Sequence, residues 1–102
     1  IALIEEGVPV LCFVGPDKLS DKTISNLREA EARGADVIAI CTEDMKHNIG
    51  FAKFVVPVPD CSEMMAPLVM AIPAQIMAYL TASEKGTDVD QPRNLAKSVT
   101  VE

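Results

Sequence analysis

The chain has 102 residues, a formal net charge of −6 and a mean hydropathy of +0.23. That length fits one small domain. The acidic balance, with no arginine-rich or lysine-rich block, excludes a nucleic-acid-binding face, which needs basic charge.

The opening IALIEEG starts in mid-pattern and reads as a piece cut from within a larger protein. Ile1 to Ile4 is a short apolar lead-in, and Glu5-Glu6-Gly7 turns the chain. Val8 to Gly15 is continuously apolar, the pattern of a central parallel strand covered on both faces. Pro9 sits at its start, where a missing N–H is tolerated. Ser20 begins a helix whose buried stripe is Ile24, Leu27 and Ala30, with Asp21 at its positive end and Gly34 closing it. Glu29 and Arg33 form an i,i+4 pair. Ala35 to Thr42 repeats the doubly buried pattern, so strand, helix and strand make a βαβ unit.

EDMKHNIG follows as a loop, and Phe54 to Val58 is a third strand that Pro57 marks as an edge or as ending there. The link to it is short for a parallel crossover, so the pattern alone leaves parallel and antiparallel pairing open. From about Cys61 to Lys85 the chain is predicted to be one long helix. Asp60 and Glu63 form a capping box at its start, and Lys85 and Gly86 supply its exit. Met64 to Ser83 carries no charge. Such a helix is expected to be buried on most faces, and buried by more protein than this chain supplies. The window is also long enough to span a membrane, but Pro67, Pro73, Gln75 and the alanines favour a core helix over a spanning one. Pro73 is expected to bend it.

Few residues carry a chemical pattern. Cys12, Cys41 and Cys61 are widely spaced with no CxxC, which reads as reduced thiols in a cytoplasmic protein without a zinc site. His47, the only histidine, lies beside Asp44 and Lys46 with no spacing that fixes a partner, and reads as an exposed loop residue. No glycine-rich phosphate loop occurs. The Gly15-Pro16-Asp17 turn ends a strand where open α/β sheets bind ligands, but Asp17 and Asp21 would repel an anion from the Ser20 helix terminus. Lys97 stands among apolar neighbours in LAKSV. A desolvated lysine is a carbonyl nucleophile, whereas a solvated one is an ordinary tail residue.

The closing segment, KGTDVDQPRNLAKSVTVE, Lys85 to Glu102, closely resembles the C-terminal signature of the glutamine–fructose-6-phosphate amidotransferase family. Ala2-Leu3-Ile4, the strand from Val8, the EARG helix exit, and the Ala66-Pro67 and Pro73-Ala74-Gln75 pairs are also similar to that family's second sugar-isomerase (SIS) domain. The resemblance implies an α/β fold, part of a flavodoxin-like SIS domain, with a mostly parallel three-stranded sheet and covering helices. It favours a parallel third strand.

It further implies that residues 1–85 are the C-terminal portion of that domain and that residues 86–102 are a tail closing the sugar-phosphate site. The lysine matching Lys97 forms an imine with the open-chain ketose. Arg93, Asn94, Leu95, Ala96, Ser98 and Val99 match the lid around it. The family needs no metal or other cofactor for this step. Fructose 6-phosphate or glucosamine 6-phosphate would be the ligand, other SIS and glutaminase domains the partners, and a homo-oligomer the assembly. Alternative readings are a SIS module that senses a sugar phosphate, or a structural dimerisation piece.

Overall fold

A computed structural model describes residues 1–91. Its elements, in order, are β1 (Pro9–Val14), α1 (Ser20–Glu31), β2 (Asp36–Thr42), a 3-10 helix (Glu43–Ile49), β3 (Phe54–Val58) and α2 (Ala66–Glu84). The three strands form one sheet in the order β1-β2-β3, and both pairings are parallel. Pro9 to Val14 runs beside Asp36 to Cys41, and Ile38 to Thr42 runs beside Phe54 to Val58. The third strand is therefore parallel. The 3-10 helix makes the short crossover possible by compacting what the sequence reads as a loop, and it drives Ile49 fully into the core.

Alternation along β2 divides the core between the two faces of the sheet. Val37, Ala39 and Cys41 join Val14, Ile24, Leu27, Ala30 and Ile49 on the α1 side. Ile40 joins Val58, Ala66 and Met70 on the α2 side. Burying Ile24 and Leu27 stabilises the α1 layer by about 1.5–3 kcal/mol each. Gly34, at φ +95°, closes α1: its N–H donates to Glu31 O at 2.8 Å and the Ala35 N–H to Ala30 O at 3.2 Å. That pair of bonds is a Schellman exit, which needs the left-handed conformation glycine adopts freely. Gly34 O also accepts the Gly7 N–H at 2.8 Å, tying the lead-in to the helix exit. The Arg28 guanidinium lies 4.5 Å over the Phe51 ring and fastens α1 to the segment before β3.

Two expectations need correction, and a third concerns cover from outside this chain. First, β1 is an edge strand among the described residues, with Leu11 and Phe13 43% and 44% exposed on its α2-side flank; β2 alone is central. Its uncharged pattern is that of an interior strand, but nothing in residues 1–91 pairs with its outer edge. Second, α2 starts at Ala66 rather than near Cys61, and no side chain caps it. Asp60 is spent elsewhere: its Oδ1 accepts the Asp44 N–H at 2.9 Å. The chain reaches the helix through a turn in which Ser62 O accepts from the Met65 and Ala66 N–H groups, and Pro67 occupies the first turn, where its missing N–H costs little.

Third, residues 1–91 alone do not bury α2 on most faces, and the expected cover by further protein is outside them. Only Ala66 and Met70 are fully buried, while Leu68 and Ile72 are 65% and 58% exposed. A sheet of three strands offers a floor under one stripe of the helix, formed by Ala66, Val69, Met70, Ala74 and Met77. The opposite stripe, through Leu68, Ile72, Ile76 and Tyr79, stays more than half exposed. By length and composition alone α2 would also suffice to cross a membrane. The helix runs without interruption through Pro73 to Glu84.

Candidate functional site

The carboxyl ends of parallel strands are where open α/β sheets place ligands. Here β1 delivers Gly15 and Asp17, and β2 delivers Thr42 and the 3-10 helix. Asp17 serves its own turn: Oδ1 accepts the Leu19 N–H at 2.6 Å, and its backbone carbonyl accepts the Ser20 hydroxyl at 2.8 Å. Ser20 therefore does not cap α1, whose N-cap is Leu19 without a side-chain cap bond. With a carboxylate at this corner, the α1 terminus is no phosphate cradle. A cleft of about 530 Å³ opens between Phe13 and Gly15 on one side and Ala66, Met70, Ala71 and Ala74 on the other. Its walls are mostly apolar and its polar members, Asp17, Glu63 and Gln75, offer no cation to an anionic ligand.

At the end of β2, Asp44 and Asp60 connect the 3-10 helix to the approach to α2. The Asp44 carboxyl is held below the usual carboxylate range, first by the Thr42 hydroxyl, then by Asp60 and by the N–H groups of Met45 and Asp44 itself. The Thr42 contact does not reach hydrogen-bonding geometry, since the fully buried Thr42 Oγ1 has no partner among the described residues. We therefore read it as local polarity rather than a formed bond. His47 is exposed on the same 3-10 helix, with no side-chain hydrogen bond or ion pair among the described residues. Lys46 pairs with Glu43 at 2.9 Å, and that contact raises the lysine. Lys53 pairs with Asp36.

The three cysteines are free. Burial pushes the Cys12 and Cys41 thiols up, and for Cys41 the nearby Glu43 and Asp44 add to the effect. Neither is an activated nucleophile. No group of three or more potential metal ligands occurs among the described residues.

The best-defined polar geometry lies past α2. Gly86, at φ +68°, donates its N–H to Ser83 O at 2.9 Å, and the Thr87 N–H donates to Ala82 O at 3.0 Å. This is a second Schellman exit. The Thr87 hydroxyl adds a further bond to Ala82 O at 2.7 Å. Asp88 Oδ1 then accepts the N–H groups of Asp90 and Gln91 at 2.9 and 3.0 Å. A cleft of about 740 Å³ separates this segment from Ala78, Tyr79 and Ala82 on the helix. Arg93, Asn94, Leu95, Ala96, Lys97, Ser98 and Val99 lie outside the described residues.

No family model matches the chain. Over 103 aligned residues it is 52% identical to a glutamine–fructose-6-phosphate aminotransferase (isomerizing) of Gluconobacter oxydans, and all of this chain aligns. It is 48% identical, again over its whole length, to a protein of the same name from Sphingobium yanoikuyae. Among solved structures it matches the C-terminal domain of glucosamine-fructose-6-phosphate aminotransferase from Francisella tularensis. The TM-score is 0.83 at 38% identity, covering 88% of this chain and 26% of that one.

The chain belongs to the glutamine–fructose-6-phosphate aminotransferase family. It spans 17% of the length of the Gluconobacter aminotransferase and 66% of the Sphingobium one. Its three-stranded parallel sheet and helices match the C-terminal domain of a family member. The Asp88 turn is what residue pattern alone passed over. Gly34 and Gly86 were legible as helix stops, but the two N–H groups gathered by Asp88 carry no periodic signal. The DxDQ spacing, an Asp followed at two and three positions by the residues it caps, is the trace that could have disclosed them.

Proposed function

We propose that this chain supplies the C-terminal part of the isomerase region of an enzyme that makes glucosamine 6-phosphate from fructose 6-phosphate and glutamine. The observation that carries the reading is identity of 52% along the whole chain to an aminotransferase of that name, with the tail signature included in the alignment. On this reading residues 1–85 are scaffold and residues 86–102 form the segment that closes over the sugar phosphate. Lys97 is the nucleophile. Its neutral amine adds to the C2 carbonyl of the open-chain ketose, and loss of water leaves an imine. A base beside C1 and C2, supplied by another part of the enzyme, then moves the proton that converts ketose to aldose character. Arg93, Asn94, Leu95, Ala96, Ser98 and Val99 surround the amine and exclude water, which protects incoming ammonia from loss.

The acidic, cation-poor cleft at the end of β1 supports assigning the sugar-phosphate contacts to another domain rather than to residues 1–91. So does the absence of a base–nucleophile pair among those residues. The isolated chain is therefore inactive. It works with further SIS and glutaminase domains, in a cytoplasmic homo-oligomer, with α2 covered by protein rather than lipid. Borohydride reduction of the complete enzyme with fructose 6-phosphate tests the assignment. The sugar adduct is expected on Lys97, and Lys97→Ala is expected to abolish it. Undiminished labelling of that variant would remove Lys97 from the chemistry. Tight sugar-phosphate binding with no turnover would replace the enzyme reading with a sensing one.

A further inference from the structure

We propose that the outer face of α2 is a self-complementary seam on which a second copy of this chain docks, the two helices antiparallel about a dyad at the level of Ala74. The inference makes no use of Lys97, so it stands or falls apart from the imine chemistry.

Leu68, Ile72, Ile76 and Tyr79 follow one another at intervals of four, four and three residues, which lays them along one side of the helix. Each is more than half exposed. Met65 and Leu80, 46% and 54% exposed, continue the row at its two ends. Together these side chains leave on the order of 700 Å² uncovered, close to the roughly 800 Å² that each partner contributes to a standard interface.

Charge decides the occupant and its direction. The window from Met64 to Ser83 is uncharged, although the chain as a whole carries −6. Two copies meeting there set no like charges against each other along the seam. Opposite charges bracket it: Glu63 precedes the helix and Lys85 follows it, both exposed. They lie equally far from Ala74 along the chain. An antiparallel pair centred on Ala74 therefore sets Glu63 level with the partner's Lys85, and does so twice. Parallel pairing would instead set glutamate beside glutamate and lysine beside lysine.

The same centre places Ile72 beside the partner's Ile76 and Leu68 level with the partner's Leu80. Because a dyad makes every contact twice, such an interface closes at two copies. An anionic lipid surface fits less well. It would repel a chain of this net charge, and α2 has no lysine or arginine along its length to hold it there.

The test is sedimentation velocity of the 102-residue chain, with circular dichroism to follow folding. The wild-type chain is expected to be a dimer. Glu63→Lys and Lys85→Glu are each expected to weaken it by about three- to thirtyfold, since each exchanges two attractive ends for two repulsive ones. The double reversal is expected to restore the affinity to within about twofold. Ile72→Glu and Ile76→Lys chains are expected to be monomers alone and to form a heterodimer when mixed in equal amounts.

A compact wild-type monomer, or an open-ended series of larger species, would overturn the proposal. A double reversal no stronger than the single ones would overturn the antiparallel register, as would an Ile72→Glu and Ile76→Lys mixture that stays monomeric. Flotation of the wild-type chain with phosphatidylcholine–phosphatidylglycerol vesicles, lost in Ile72→Gln, would give the face to lipid instead. If the isolated wild-type chain shows no folded signal, the same reversals in the complete enzyme decide. An oligomer unchanged by either single reversal overturns the proposal; weakening in each and recovery in the double uphold it.

Discussion

Gly34, Gly86 and Gly7 all hold positive φ, at +95°, +68° and +79°, but alanine should not cost the same at each. A Cβ at Gly86 or Gly7 would meet nothing within 4 Å. There the cost is the left-handed backbone alone, about 1–2 kcal/mol. At Gly34 a Cβ would stand 2.7 Å from Glu6 Oε2, 3.0 Å from Glu6 Cα and 3.3 Å from Glu6 N. The carboxylate tip can swing away. The Glu6 backbone cannot do so easily, because the Gly7 N–H is bonded to Gly34 O at 2.8 Å. Crowding of that kind adds about 1–3 kcal/mol. Gly34→Ala should therefore cost about 2–5 kcal/mol, against about 1–2 for Gly86→Ala or Gly7→Ala. For a domain of this size each kcal/mol lowers Tm by about 4–8 °C. Parallel thermal and urea unfolding of the three alanine variants resolves such a gap. A Gly34→Ala variant no less stable than Gly86→Ala would refute the argument that Glu6 packs against the α1 exit.

Two further outcomes follow from the same structure. The exposed stripe of α2, through Leu68, Ile72, Ile76 and Tyr79, should make the 102-residue chain self-associate, and Ile72→Gln with Ile76→Gln should shift it toward monomer in sedimentation velocity; a compact wild-type monomer would contradict this. The Asp44 carboxyl titrates below its unfolded value, so its contribution is complete above the ordinary carboxylate pKa of about 3.9 and is lost as pH falls through the lowered folded value. Urea midpoints of wild type and Asp44→Asn should thus converge in acid and separate as pH rises through that window; curves parallel throughout would exclude a role for Asp44 in the acid limb.

The α/β class, the three strands and α1 with its stripe of Ile24, Leu27 and Ala30 were all readable from local pattern. Apolar runs bounded by glycine and proline, and a 3.6-residue period, are written within a few positions of one another. The stops at Gly34 and Gly86 were equally plain, since only a residue without Cβ enters that conformation freely. The tail signature pointed to the family directly. Pattern failed where a partner distant in sequence decided the outcome. Asp60 looked like a cap for the residues that follow it, but the Asp44 N–H, brought alongside by the β2–β3 crossover, claims its carboxylate. The EDMKHNI stretch looked like loop because Ile49, its one core residue, needs the assembled α1 face of the sheet to be recognised as buried.

The residues of α2 determine that it is a helix and that it is apolar on more than one side. They do not determine which side the sheet takes. That is chosen by strand order, which puts β2 and β3 beneath Ala66 and Met70 and leaves Leu68 and Ile72 facing outward. Burial is a property of pairs of surfaces, and a sequence states only one surface of each pair.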